Sequence, residues 1–178
     1  MRAFISMDLD KEAKKEVLNL QKELEKSKLV KGKLTEQENL HLTLKFLGDV
    51  DEKKAEEVKK LLRQIKFRKF NSELETIGTF GDRDVRIIWV KLGGEDVLEL
   101  QKQIDEQLKN LFKKEFRFMS HVTIMRIKEA PEQKQLNEYL KKLNFKKIKF
   151  SVNEFVLNKS TLTKKGPIYE VLEKYKLI

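Results

Sequence analysis

"ENLHLTLKFLG", residues 38–48, sets a histidine in a run that alternates polar and apolar side chains and closes on glycine. Successive side chains of a strand leave opposite faces, so the pattern predicts a β-strand with His41, Thr43 and Lys45 on one face and Leu42, Leu44 and Phe46 turned to the core. The same arithmetic applied to "HVTIMRI", residues 121–127, puts His121 and Thr123 on one face and Val122 and Ile124 on the other. The chain has two histidines and seven threonines in 178 residues. That both histidines precede a threonine by two positions has a chance of about 1 in 600, so the pairs are read as a designed repeat rather than coincidence.

Outward from the first of these strands, "RAFISMDL" (residues 2–9) also alternates and predicts a strand. Asp10 then caps an amphipathic helix to about Ser27, with Val17, Leu18, Leu20 and Leu24 at helical spacing, and a loop containing Gly32 follows. Beyond Gly48, Asp51 caps a helix from about Glu52 to Ile65. "FNSELETIGTFG" and "VRIIWVKL" predict an antiparallel hairpin turning through "GDRD". A helix from about Glu95 to Phe112 follows Gly93 and Gly94, and Pro131 opens another after the second histidine strand. "KKIKFSVNEFVLNKS" and "GPIYEVLEKYKLI" complete the chain as strands, with Gly166 and Pro167 in a turn. Strands and helices mix without a Pro- or Ser-rich linker, which predicts one α+β unit over residues 1–178. A strand with His-x-Thr followed by a helix occurs twice, eighty residues apart.

No cysteine is present, which excludes disulfides, thiolate metal sites and cysteine nucleophiles. The absence of a long apolar run predicts no membrane association and a cytoplasmic protein. Thirty-nine Lys and Arg against 29 Asp and Glu give a net charge of +10, which favours a polyanionic partner, although Lys and Glu enrichment also marks heat-adapted proteins.

Histidine titrates near neutrality, with an ordinary pKa of about 6.5, so two of them can divide the roles of base and acid. A threonine hydroxyl two residues on points the same way and can hold an oxygen that gains charge. Four such groups suit attack at phosphorus: one imidazole takes a proton from the attacking oxygen, the other protonates the leaving oxygen. Catalytic zinc ordinarily needs three protein ligands, which neither motif supplies, and no Walker A, HExxH or G-x-S-x-G sequence occurs. The expectation is therefore no metal and no cofactor. Trp89 and Tyr169 are candidates for stacking on bases, and the lysine runs at 113, 141 and 163 for tracking a phosphate backbone. Lys45, on the face of His41, is the lysine expected to reach a phosphate.

These segments, with "FGDRDVRIIWV" and "NKSTLTKKGPIYEVL" in the same order, resemble the two-histidine phosphoesterases, specifically the RNA 2′,3′-cyclic phosphodiesterases also called 2′-5′ RNA ligases. The resemblance implies an α+β fold of two pseudo-symmetric lobes of antiparallel sheet, with helices packed outside and an active-site cleft between the lobes. It implies metal-independent opening of a terminal 2′,3′-cyclic phosphate to a 2′-phosphate, with reversible 2′-5′ joining. His41, Thr43, His121 and Thr123 become the catalytic set, with His121 taken as base and His41 as acid. Arg126 stands where the family carries a phosphate-contacting arginine, and Ser120 where it commonly has proline. Strict alternation sends Arg126 away from His121, so that role requires a bulge. The implied partner is RNA with a cyclic-phosphate end, tRNA fragments among the candidates, bound by a monomer. The alternatives are another 2′-linked or small cyclic nucleotide as substrate, or an RNA-binding module without turnover.

Overall fold

Period-two runs and capped amphipathic helices appear in the order the sequence predicts, in a computed structural model that describes residues 1–81 and 84–178. The strands are β1 (Arg2–Asp8), β2 (Lys31–Leu34), β3 (His41–Asp49), β4 (Phe70–Phe80), β5 (Ile87–Gly93), β6 (His121–Glu129), β7 (Lys149–Val152), β8 (Glu154–Thr163) and β9 (Gly166–Lys176). The helices are α1 (Lys11–Ser27), α2 (Glu52–Leu62), α3 (Glu95–Gln107) and α4 (Gln133–Lys142). The architecture is α+β, and every ladder among the described residues is antiparallel.

The strands join in the order β7-β4-β5-β6-β3-β1-β8-β9, with β2 added alongside β6. The two halves of that order mirror each other about the β3–β6 junction, where the two histidine strands are neighbours. That junction is narrow: Leu42 opposite Val122 is its one paired position, and both side chains are fully buried. Further along β6, β2 takes the place of β3 and pairs through Leu34 and Met125 to Lys31 and Glu129.

Helix ends follow local chemistry. Asp10 and Asp51 accept from the amides of Ala13 (2.8 Å) and Lys54 (2.7 Å), satisfying N–H groups that a first turn leaves unpaired. Ala13, Val17, Leu20 and Leu24 of α1, and Val97, Leu100 and Ile104 of α3, form the buried stripes that dock on the sheet. Among the described residues no helix is long and apolar enough to cross a membrane.

Several boundaries differ from the expectation. The second helix stops at Leu62 rather than Ile65, and the third at Gln107 rather than Phe112. Leu108, Leu111 and Phe112 still pack inward, from turn and bend residues, so apolar spacing there reports burial and not helix. Pro131 lies in a turn, and α4 begins at Gln133. The loop expected around Gly32 is strand β2. The "GDRD" turn includes Asp82 and Arg83, which lie outside the described residues.

Gly32 lets β2 approach β6: a Cβ there would fall 2.1 Å from the backbone oxygen of Arg126. Backbone cannot rotate away as a side-chain tip can, so Gly32→Ala must push the strands apart. It is expected to cost about 1–3 kcal/mol, as overpacking does, and to lower the Tm by roughly 3–10 °C in thermal unfolding.

Candidate active site

Antiparallel pairing of Leu42 with Val122 brings His41 across from Thr123 and Thr43 across from His121. All four line one cleft of about 650 Å³, whose other walls come from β1, β2, β8–β9 and residues 113–119. The two His-x-Thr pairs, eighty residues apart in the chain, therefore share a face and a cavity.

Both rings are held by the carbonyl two residues upstream. Nδ1 of His41 lies 2.7 Å from the oxygen of Asn39, and Nδ1 of His121 lies 2.7 Å from that of Met119. A carbonyl only accepts, so each Nδ1 carries a proton and donates, leaving Nε2 as the working nitrogen. Nε2 of His41 stands 3.0 Å from Oγ1 of Thr43, which donates to it when the ring is neutral.

Aromatic side chains enclose the imidazoles. Phe4 (5.0 Å between centroids) and the edge of Tyr169 (5.2 Å) flank His41, and Phe80 meets His121 edge-on at 4.9 Å. Burial lowers the pKa of His41, opposed by its bond to Asn39 and the Asp8 carboxylate, and assisted by Lys14 and His121. Burial also lowers that of His121, opposed by its bond to Met119. Burial raises the pKa of the Tyr169 hydroxyl, with Glu36 adding and Arg126 subtracting.

Past each threonine the strand bulges. Between β1 and β3 the register runs from Ser6 opposite Thr43 to Ile5 opposite Lys45, skipping Leu44; between β5 and β6 it runs from Trp89 opposite Thr123 to Ile88 opposite Met125, skipping Ile124. One extra residue inverts the alternation. Arg126 thereby lies on the histidine face and lines the cleft. The carbonyl of the bulged Ile124 accepts from the Thr35 amide (3.0 Å) and from Nε2 of buried Gln21 (2.8 Å), so the irregularity leaves that group paired.

The matching bulge in β3 corrects two expectations. Lys45 borders the cleft, but its ammonium is turned to the protein and not to a phosphate: it is 6% exposed and donates to Asp105 on α3 and, at 2.8 Å, to the Lys113 oxygen. Phe46, expected in the core, is 77% exposed and lines the cleft. Of the stacking candidates, Tyr169 is at the site, whereas Trp89 packs over Gly78 and against Phe80. Ser120 is buried and donates to Leu92, whose amide donates to the Ser120 oxygen, fixing the approach to His121 as a proline would by other means.

Sequence reasoning missed Phe4, Asn39, Phe80 and Met119. The two carbonyl acceptors carry no side-chain signal, and Phe4 follows the pattern of an ordinary core residue. Among the described residues no three His, Asp or Glu side chains cluster as metal ligands.

Two imidazoles whose Nε2 atoms are unprotonated when the rings are neutral, two hydroxyls and an arginine stand around one cleft, a set of groups suited to attack at phosphorus. The sequence model of the LigT like phosphoesterases matches residues 7–89 and 91–169, each segment holding one His-x-Thr pair, and the chain belongs to that two-histidine family of hydrolases. It is 37% identical to a Methanocaldococcus jannaschii protein named RNA 2′,3′-cyclic phosphodiesterase, over 98% of this chain and 100% of that one. It is 35% identical to a Thermotoga maritima protein of the same name, over 97% and 93%. Among solved structures, the fold matches a Thermus thermophilus protein, TT0787 (TM-score 0.84, 24% identity, 99% and 98% covered). It also matches Escherichia coli LigT complexed with 3′-AMP (TM-score 0.78, 22% identity, 99% and 97% covered).

The ring geometry makes a spectroscopic prediction. Nitrogen-15 NMR should find both neutral histidines as the Nδ1–H tautomer, and both should titrate below the ordinary value of about 6.5. An Nε2–H tautomer at either ring contradicts the assignment of Nε2 as the working atom.

Proposed function

We propose that this enzyme opens the 2′,3′-cyclic phosphate at the end of an RNA strand to a 2′-phosphate by paired acid and base catalysis, without metal. The carrying observation is the pairing of Leu42 with Val122, which aims both His-Thr pairs into one cleft. The names of the Methanocaldococcus and Thermotoga relatives support the substrate, and the 3′-AMP complex of the same fold supports a nucleotide in the cleft.

In this reading Nε2 of His121 takes a proton from water as the water oxygen bonds to phosphorus. The P–O3′ bond breaks, and Nε2–H of His41 delivers its proton to O3′, leaving a 2′-phosphate and a 3′-hydroxyl. His41 is assigned the acid because, of the two rings, it is the one with a carboxylate, Asp8, opposing the burial that lowers its pKa, although Lys14 acts with that burial. Thr43 and Thr123 donate to the non-bridging oxygens, and Arg126 neutralises the phosphoryl charge. A 5′-hydroxyl in place of water gives a 2′-5′ linkage with the same assignments, and the reverse reaction exchanges them. Exposed Phe46 offers the terminal base a stacking face.

An RNA with a 2′,3′-cyclic end, incubated in EDTA, should yield a 2′-phosphate. His41→Ala and His121→Ala should each lower kcat by about 10²–10⁴, the range of a lost proton-transfer group. Abolition of wild-type turnover by EDTA, or a 3′-phosphate product, overturns the reading.

The pH dependence follows from the ring environments. Burial lowers both pKa values, so the base stays free to lower pH while the acid loses its proton earlier as pH rises. The kcat/KM profile should be a bell centred on the acid side of about 6.5, falling through neutrality. A flat profile from about pH 5 to 9 excludes paired transfer. Phe46→Ala should raise KM for RNA roughly tenfold, within the 1–3 kcal/mol of one lost stack.

A further inference from the structure

Lys45 and Asp105 form an ion pair that is 6% and 5% exposed, between β3 and α3. Such pairs seldom add stability over an apolar pair of the same volume, since desolvation offsets their attraction. A buried pair retained beside a cleft therefore invites the question of what its remaining hydrogen-bonding capacity holds.

Apart from Gln101 on α3, that capacity goes to one short segment. The Lys45 ammonium donates to the backbone oxygen of Lys113 at 2.8 Å. The Asp105 carboxylate accepts from the backbone amide of Glu115 at 2.8 Å and from Gln101 at 2.9 Å. Residues 113–118 form neither strand nor helix; Phe116 is 89% exposed, and Phe118 is the apolar side chain of the segment that packs on the core. Yet Lys113, Glu115, Arg117 and Phe118 line the cleft.

We propose that Lys45 and Asp105 are positioning residues: a buried latch that seats residues 113–118 as a cationic wall, against which the RNA strand beyond its cyclic-phosphate nucleotide is held. The proposal rests on the reading of the cleft as an RNA-end site. The His-Thr pairs take the terminal phosphate; Lys113 and Arg117 stand where further phosphates of the strand would be neutralised. Without the latch the wall must be ordered anew at each binding event, which weakens binding of long substrates and leaves chemistry alone.

The test compares wild type, the apolar double variant Lys45→Met/Asp105→Leu, and Glu115→Pro, which deletes the amide that Asp105 holds, read against a Glu115→Ala control because the Glu115 carboxylate that both substitutions remove lines the cleft and accepts from the Arg117 amide. Each is assayed on a 2′,3′-cyclic mononucleotide and on a short single-stranded RNA with the same end. The latch requires KM for RNA to rise roughly tenfold in both variants, with kcat and the mononucleotide KM within about twofold and a shallower salt dependence of RNA binding. Equal loss on both substrates, a fall in kcat alone, or no change overturns it. If the double variant fails to fold, Glu115→Pro decides. If wild type turns over neither substrate the functional reading falls, and the latch is judged by fluorescence anisotropy with single-stranded RNA, where equal binding by wild type and the variants overturns it.

Discussion

The site depends on a single contact between two strands. Leu42 and Val122 are buried against each other where β3 and β6 meet, and each carries a histidine before it and a threonine after it. Antiparallel pairing converts two sequence-distant tripeptides into one polar face with each hydroxyl opposite the other strand's imidazole. A one-residue slip would send both histidines into the core, at the cost of burying polar rings and exposing four aliphatic side chains. The hydrophobic effect that closes the seam is thus also what sets the proposed acid and base around one substrate.

The bulges extend this arrangement. His41 and His121 are each followed five residues later by a side chain that reaches the cleft only because one residue is left unpaired in between: Phe46 in β3 and Arg126 in β6. The positions are equivalent in the two strands, yet one offers an aromatic face and the other a cation. In the proposed reaction a nucleotide end presents a base and a phosphate, and the asymmetry of these two residues matches that difference. The residues before them, Lys45 and Met125, are turned inward, and a lysine so placed needs the partner that α3 provides in Asp105.

How much of this was legible depended on whether local periodicity survived. The faces of His41, Thr43, His121 and Thr123 could be read because alternation holds up to each threonine. It fails one residue later, since a bulge is decided by what the neighbouring strands accommodate, here β1 and β5, and those pairings are not local. Arg126 was placed through a family resemblance that required a bulge; the same bulge in β3 went unsuspected, and so Lys45 and Phe46 were exchanged. β2 was missed because "KGKL" has no apolar alternation, and its stability comes from the ladder to β6 and the close approach at Gly32. Residues 108–112 were read as helix because turns can bury leucines at the same spacing.

The two imidazoles share their largest electrostatic influence, so burial cannot by itself make one an acid and the other a base. Both lose hydration, both give Nδ1–H to a carbonyl, and both are biased toward the neutral form. Differentiation must come from charges that act on one ring only. Asp8, at the end of β1, raises the pKa of His41, while Lys14 on α1 lowers it. In the proposed reaction a bound dianionic transition state adds negative charge near both rings, and at His41 the Asp8 carboxylate adds to that charge in opposing the burial that favours the neutral ring. β1 therefore contributes to the chemistry as well as to the sheet: its Phe4 encloses His41, its Ser6 marks the start of the bulge that turns Phe46 outward, and its Asp8 biases the ring toward the charged form.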